Sequence, residues 1–209
     1  MTTSSQTSPR ERGSIVVCHL TISLDGFVAG PHQSQEEPLG EGGERLHRWM
    51  FEQPEANADE ISEVTAASAF VMGRNMFGPV RRELSGDWRG WWGEDPPYHA
   101  PVFVLTHDER EPLIMRGGTT FTFVTDGIES ALAQAKAAAG SGFVAIAGGA
   151  STANQYLRAG LVDELWLGIA PITLGAGARL FEDVGELALE QISSRGTDLV
   201  THVKYSVRR

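Results

Sequence analysis

Three apolar runs in the sequence end in residues that could bind the phosphate groups of a nucleotide. A glycine lets a phosphate approach the backbone closely because it has no Cβ. An arginine adds a bidentate donor that suits phosphate oxygens. The residues that we predict to bind a cofactor at these ends are Gly73, Arg74 and Asn75, then Thr106 and His107, and then Gly148, Gly149, Ala150, Ser151 and Thr152.

The adjacent glycines Gly148 and Gly149 stand out, because an ordinary turn from strand to helix needs only one flexible residue and a cap. Ser151 is predicted to be the N-cap of the next helix, whose free N–H groups and positive dipole end attract anions. The glycine pair therefore fits a pyrophosphate cradle. Arg74 and Thr106–His107 fit a second phosphate, such as the 2′-phosphate of NADPH. The alternative interpretation is a plain turn at each place, and the usual fingerprint G-x-G-x-x-G is absent.

The elements that must position these residues alternate along the chain. Apolar, β-rich runs predict strands, and helical spacing of apolar residues predicts helices. The predicted strands are 14–23, 69–73, 101–106, 119–125, 142–148, 163–175, 187–196 and 198–207, and the predicted helices are 43–52, 58–68, 126–140 and 151–160. This order predicts an α/β fold with a mostly parallel central sheet and antiparallel C-terminal edge strands. Ligands bind at the carboxyl ends of the strands in such sheets.

Smaller features complete the predicted organisation. Residues 1–12 are polar and are predicted to be a disordered tail, so that residues 13–209 form a single domain. Asp126 and Glu129 are predicted to cap the helix that follows them. The run "GAGARL" (175–180) is predicted to be a turn after a strand.

The composition limits the classes of partner. The formal net charge is -10, which disfavours a nucleic-acid or anionic-membrane partner. No apolar stretch reaches the roughly 18 residues that a membrane span needs. The one cysteine, Cys18, lies in an apolar run and predicts a buried small side chain in a reducing, cytoplasmic setting. The six histidines show no ligand spacing, so we predict no metal site.

Several segments together resemble a known superfamily. "SLDGFVAG", "FVMGRNMFG", "VFVLTH" and "AIAGGASTANQYLRAGLVDELWLGIAPITLGAGARLF" are similar to dihydrofolate reductases. They are closest to the branch that contains the C-terminal reductase domain of the bacterial bifunctional riboflavin-biosynthesis protein. The resemblance spans about residues 14–207 and implies a three-layer, eight-stranded reductase fold, NADPH as cofactor and a homodimer.

The resemblance also implies roles for particular residues. Gly73, Arg74 and the start of the helix at 148–151 would flank the cofactor phosphates. The "SLDGF" loop would approach the nicotinamide and the substrate, with Asp25 as a candidate catalytic residue and Gly26 and Phe27 as cofactor contacts. The alternative for Asp25 is a common Asp-Gly tight turn.

The chain also departs from these families. It has no deaminase domain, and with one cysteine it cannot form the zinc pattern H-x-E…P-C-x-x-C. In the helix 43–52, Glu44 is acidic but lies near the start, and we assign it no role as proton donor. The loop that carries Trp88, Trp91 and Trp92 is either a lid packed on the sheet edge or an aromatic wall for a flat substrate.

These observations lead to one expected function and two alternatives. We expect an NADPH-dependent reductase that transfers a hydride to a small heterocyclic or sugar-like substrate. Its activity would resemble that of dihydrofolate reductase or of 5-amino-6-(5-phosphoribosylamino)uracil reductase. The first alternative is a non-catalytic nucleotide-binding or regulatory module on the same fold, because a fold does not fix a function. The second is a flavin-binding protein.

Overall fold

The computed structural model describes residues 14–78 and 87–208. The tail predicted at residues 1–12 lies outside the described residues. Within the described ranges, no helix is both long and apolar enough to cross a membrane.

A large mixed sheet forms the centre of the molecule, and a small sheet lies beside it. In the described residues the large sheet has nine strands in the order β10-β11-β8-β1-β7-β3-β4-β6-β5. Their bounds are β1 Val16–Ser23, β3 Ala69–Gly73, β4 Pro101–Leu105, β5 Leu113–Ile114, β6 Thr120–Val124, β7 Val144–Gly148, β8 Glu164–Ala170, β10 Ala188–Gly196 and β11 Thr201–Arg208. The small sheet pairs β2 (Phe27–Ala29) with β9 (Ala178–Arg179).

The direction of the strands agrees with the predicted fold class. Strands β8, β1, β7, β3, β4 and β6 are parallel neighbours. Strands β10 and β11 form an antiparallel C-terminal edge on β8. The α/β fold with a mostly parallel sheet and antiparallel C-terminal strands is therefore confirmed. The resemblance implied eight strands, whereas the large sheet of the described residues has nine. The short strands β2, β5 and β9, of two or three residues each, were not predicted.

Five short or medium α-helices connect the strands in the described residues. They are α1 Arg48–Glu52, α2 Ala58–Val64, α3 Arg74–Phe77, α4 Ile128–Ala139 and α5 Ala150–Arg158. The predicted helix 43–52 begins as a 3-10 helix, Gly43–His47, and continues as α1. Strand β8 ends at Ala170 rather than at residue 175, because Pro171 has no N–H to continue the ladder.

Both predicted side-chain caps are wrong, because a glycine occupies the N-cap position of each helix. Gly127 is the N-cap of α4, and Gly149 is the N-cap of α5, and no side chain caps either helix. Each helix therefore begins one or two residues from the position that the polar residue suggested. Asp126 precedes the cap of α4, while Ser151 lies inside the first turn of α5.

The central sheet is covered on both faces, which gives the predicted three layers. On one face, α4 packs on β3, β4 and β7, and α5 packs on β7 and β3; alternate residues of β1, such as Val16 and Cys18, belong to the same core cluster. On the other face, residues of β3 and β4 pack against the segment that contains Trp88 and Tyr98. Cys18 is fully buried, and burial raises the pKa of its thiol to about 12, so it is an inert core residue.

Candidate functional site

The three predicted phosphate-binding ends lie at one edge of the sheet. Strands β7, β3 and β4 are adjacent and parallel, so their carboxyl ends point in the same direction. Met72 is the register partner of Gly148, and Gly73 is the partner of Leu105. The sheet therefore brings the Gly148-Gly149 pair, the Gly73-Arg74 pair and the Thr106-His107 pair to neighbouring positions at the edge where ligands bind in α/β proteins.

The two adjacent glycines have different conformations and different surroundings. Gly148 has φ +120°, and a Cβ built there would lie 3.1 Å from Leu20 Cδ2. Gly149 has φ -73° and ψ -164°, and a Cβ built there would meet no atom within 4 Å. The peptide bond between them is cis. The φ of +120° therefore requires a glycine at position 148, whereas no described atom is close enough to exclude a side chain at position 149.

Helix α5 begins directly after this pair. Ala153 N–H donates to Gly149 C=O over 3.0 Å, which is the first bond of the helix. The N–H groups of the first turn have no partner within the helix, and no side chain caps them. The first turn of α5 contains no acidic residue, and a Cβ built on Gly149 would meet no described atom within 4 Å. The helix dipole therefore makes this end of α5 favourable for an anion.

Gly73 is explained by packing rather than by a ligand. A Cβ built on Gly73 would overlap the hydroxyl oxygen of Thr152 on α5. Thr152 is itself buried, with only 5% of its surface exposed. The missing side chain at Gly73 thus allows α5 to approach the end of β3. The predicted cofactor contacts of Gly73 and Thr152 remain predictions for their backbone atoms.

Four of the polar residues predicted to bind a cofactor follow the ends of β3 and β4, beside the Gly148-Gly149 pair. Arg74 is half-buried and Asn75 is exposed, and Arg74 Nη1 lies 3.4 Å from Asn75 Oδ1. Thr106 is buried, and its hydroxyl oxygen accepts a hydrogen bond of 3.0 Å from Asp108 N–H, which holds the turn after β4. His107 is exposed at that turn. Arg74, Asn75 and His107 thus present polar side chains at this edge, whereas the hydroxyl of Thr106 is used within the fold.

The loop that follows β1, residues 23–29, is here termed the Asp25 loop. The Ser23 hydroxyl donates to Asp25 Oδ1 over 2.5 Å and accepts from Phe27 N–H over 2.9 Å. Leu174 N–H and Gly175 N–H donate to the same carboxylate over 3.1 and 2.7 Å. The Ser23 hydrogen bond, together with these two backbone donors, lowers the pKa of Asp25 to about 2. The carboxyl is therefore ionised at neutral pH and has no proton to donate.

Gly26 and Phe27 hold the shape of the Asp25 loop. Gly26 has φ +87°, a conformation that side chains rarely adopt, so the Asp-Gly turn interpretation describes the local backbone correctly. Phe27 is 5% exposed, and the Arg179 guanidinium lies 4.3 Å from the centroid of its ring. The predicted cofactor contacts of Gly26 and Phe27, and the catalytic role of Asp25, remain predictions.

Comparison with known proteins identifies the relatives of this fold. The model of the RibD C-terminal domain family matches residues 14–203. The chain belongs to this family. The uncharacterised protein YyaP of Bacillus subtilis (strain 168) is 25% identical to the chain over 186 residues, which are 86% of this chain and 87% of YyaP.

Solved structures of similar fold include members and relatives of the RibD C-terminal domain family. A Shewanella sp. PV-4 protein, provisionally named a riboflavin biosynthesis protein, matches with a TM-score of 0.62 and 25% identity, covering 94% of this chain and 99% of that chain. A dihydrofolate reductase from Enterococcus faecalis, solved in complex with NADP(H), matches with a TM-score of 0.55 and 15% identity, covering 93% of this chain and 97% of that chain. These matches confirm the dihydrofolate reductase-like fold, and together with the family they support an oxidoreductase.

Two tryptophans of the loop before β4, Trp88 and Trp92, contact other residues of this RibD-family chain. The Trp92 ring stacks on Phe121 with 5.9 Å between ring centroids, and it meets Tyr98 edge-on. Trp88 Nε1 donates to Phe77 C=O over 2.9 Å. Trp88 and Trp92 thus pack on the protein, as the packed-lid interpretation expects, and the aromatic wall for a flat substrate stays a prediction.

Sequence reasoning missed two residues that hold the site together, Asn154 and Arg179. Asn154 lies on α5 and is 5% exposed. It was detectable as a polar residue on the buried stripe of the predicted helix, between Ala153 and Tyr156. Arg179 carried no signal, because its partners in the Asp25 loop lie about 150 positions away in the sequence. In the described residues, no group of three or more His, Cys, Asp or Glu side chains could hold a metal ion.

Proposed function

We propose that this protein is an NADPH-dependent reductase that acts on a small heterocyclic or sugar-like substrate. The observation that carries this proposal is the open space at Gly149 next to the uncapped N-terminus of α5. A dinucleotide pyrophosphate needs backbone donors and room for its oxygens, and this end of α5 has both. The residues present therefore fit the cofactor that the family implies.

The roles of the chain's residues follow from their positions. The backbone N–H groups of Ala150 and Ser151 would bind the pyrophosphate, and Gly149 would allow it to approach. Arg74, with Asn75 and His107, would bind the 2′-phosphate, because a guanidinium suits a phosphate and local positive charge is needed in a chain of net charge -10. NADPH, once bound, supplies the hydride that reduces a C=N or C=O bond.

Asp25 would act as an ionised group rather than as a general acid. Its carboxylate binds Ser23, Leu174 and Gly175, and its low pKa keeps it charged at neutral pH. We infer that it orients the Asp25 loop against the nicotinamide end of the cofactor. The proton that balances hydride transfer would then come from a group other than Asp25.

A titration with two cofactors tests this proposal. Protein tryptophan fluorescence is followed while NADPH or NADH is added. We expect NADPH to bind more tightly, because Arg74 can pair with the 2′-phosphate that NADH lacks. Equal affinity, or tighter binding of NADH, would refute the assignment of the 2′-phosphate site.

Turnover separates the reductase from its main alternative. A purified sample that binds NADPH tightly but never oxidises it with any candidate pterin, pyrimidine or sugar substrate would favour a non-catalytic nucleotide-binding module. A yellow sample with a flavin spectrum would favour a flavin protein. Steady oxidation of NADPH that depends on an added substrate would support the reductase.

A further inference from the structure

A continuous path of hydrogen bonds links the cofactor helix α5 to the Asp25 loop. The path runs through residues 171–181, which follow β8 and are here termed the return segment. The Asn154 side chain on α5 binds the return segment at two places: Nδ2 donates to Arg179 C=O over 2.9 Å, and Oδ1 accepts from Phe181 N–H over 2.9 Å. The buried amide of Asn154 therefore holds the Arg179 C=O and the Phe181 N–H, which flank Leu180, against the helix.

The same part of the return segment binds the Asp25 loop on its other side. Leu180 N–H donates to Gly26 C=O over 2.9 Å, and Arg179 is the register partner of Phe27 in the small antiparallel sheet. Arg179 Nη1 also donates to Asp25 C=O over 3.0 Å, while its guanidinium covers the Phe27 ring. Backbone and side-chain bonds of residues 179–181 thus join α5 on one side and the Asp25 loop on the other.

Asn154 lies one helical turn from the N-terminus of α5, where the pyrophosphate is proposed to bind. A shift of the first turn of α5 would therefore move Asn154, then residues 179–181, and then the Asp25 loop. We propose that Asn154 and Arg179 are positioning residues that hold the Asp25 loop in register with the cofactor-binding end of α5. This inference rests on the proposed function, because the geometry that it fixes is that of the nicotinamide relative to the pyrophosphate.

The test compares three variants with the wild-type protein by hydrogen exchange measured on peptides. Asn154→Leu keeps the branched shape and the number of heavy atoms of the side chain and removes both hydrogen bonds. Arg179→Met keeps much of the aliphatic stem and removes the bond to Asp25. Gln155→Leu is the matched control, because Gln155 is exposed on the same helix and its side-chain amide donates, among the described residues, to Ser151 C=O of its own helix.

Without cofactor, we expect the amides of residues 23–29 to exchange about tenfold faster in Asn154→Leu, because loss of one or two net hydrogen bonds lowers the local opening energy. Arg179→Met should show the same effect in the Asp25 loop, with α5 unchanged. Gln155→Leu should match the wild type. If Asn154→Leu fails to fold, Arg179→Met decides the matter. Wild-type exchange of residues 23–29 in every folded variant would overturn the proposal.

With saturating NADPH, we expect wild-type protection at both the start of α5 and the Asp25 loop. In Asn154→Leu, the start of α5 should still be protected while residues 23–29 are not, and the fluorescence of bound NADPH should report a more solvated nicotinamide. A general loss of stability would reduce the protection of the start of α5 and of residues 23–29 together, so it would not produce this difference between the two regions. Full protection of residues 23–29 in Asn154→Leu would overturn the proposal. Absence of NADPH protection in the wild type would refute the proposed function, whereas the cofactor-free comparison tests the link itself.

Discussion

Gly149→Val is the substitution that separates a ligand-binding glycine from a turn glycine. The backbone of Gly149, with φ -73° and ψ -164°, lies in the extended region that valine favours. A Cβ there would meet no atom of the described residues within 4 Å, apart from its own chain neighbours. The new methyl groups would instead occupy the space in which the pyrophosphate is proposed to lie. We expect the cofactor-free protein to fold with little change in melting temperature and to bind NADPH weakly.

The expected loss of affinity follows from the bonds that would be broken. Hydrogen bonds to charged groups contribute about 1.5–3 kcal/mol each, and about 1.4 kcal/mol corresponds to a tenfold change in affinity. Losing one or two such bonds should weaken NADPH binding by roughly tenfold to ten-thousandfold. Gly148→Ala is the matched control, because φ +120° resists any side chain. Backbone strain of about 1–3 kcal/mol should lower its melting temperature by several degrees, at roughly 2–4 °C per kcal/mol.

Two measurements on each variant decide between the interpretations. Thermal melting followed by circular dichroism reports the stability of the cofactor-free protein, and fluorescence titration reports the affinity for NADPH. If Gly149 only serves the turn, Gly149→Val should lose stability as Gly148→Ala does, and binding should fall only with the folded fraction. Unchanged NADPH affinity in a stable Gly149→Val protein would refute the pyrophosphate cradle.

Three further predictions concern catalysis, pH and assembly. Asp25→Asn replaces an acceptor of the Gly175 N–H by an amide group, and we expect turnover to fall while NADPH affinity is nearly kept; wild-type turnover would leave Asp25 as a turn residue only. Burial, with smaller contributions from two nearby basic side chains, lowers the pKa of His19 from 6.5 to about 4. The unfolded state therefore binds a proton at His19 more readily than the folded state does. The contribution of neutral His19 to stability is present above about pH 6.5 and is lost as the pH falls towards 4. Denaturant titrations from neutral to acidic pH should show this slope, and His19→Phe should reduce it; part of the slope should remain, because burial also lowers the pKa of His47 and His202. All nine residues of β10 are exposed, including Ile192 at 52%, and we propose that this strand lies in the homodimer interface implied by the resemblance; light scattering should find a dimer that Ile192→Asp weakens, and a monomeric wild type would contradict it.

Much of the fold was predictable because its strands are local features of the sequence. The run at 69–73 is apolar, β-rich and bounded by Ser68 and Arg74, and it forms β3 with the predicted bounds. The parallel order followed from the alternation of strands and helices. The pairing of β2 with β9 could not be predicted in the same way, because each strand has two or three residues and their partners are about 150 positions apart.

The helix starts were predicted less well, since capping preferences are only statistical. Ser and Asp are favoured N-caps because their side chains can accept a bond from the first turn. In this chain a glycine occupies the cap of both α4 and α5. At α5 a serine cap would have satisfied one of the N–H groups that we propose to bind the pyrophosphate.

The three glycines of the candidate site show why residue type alone does not reveal a ligand. Gly73 is needed because the Thr152 hydroxyl occupies the place of its Cβ, and Gly148 is needed because its φ is +120°. Both would be required in a protein that bound nothing. The φ and ψ angles of Gly149 lie in the extended region, and a Cβ there would meet no described atom within 4 Å, so no contact in the described residues explains its lack of a side chain. Gly149 and the uncapped start of α5 are therefore the features that favour a bound cofactor, and the pair Gly148-Gly149 combines one glycine of each kind.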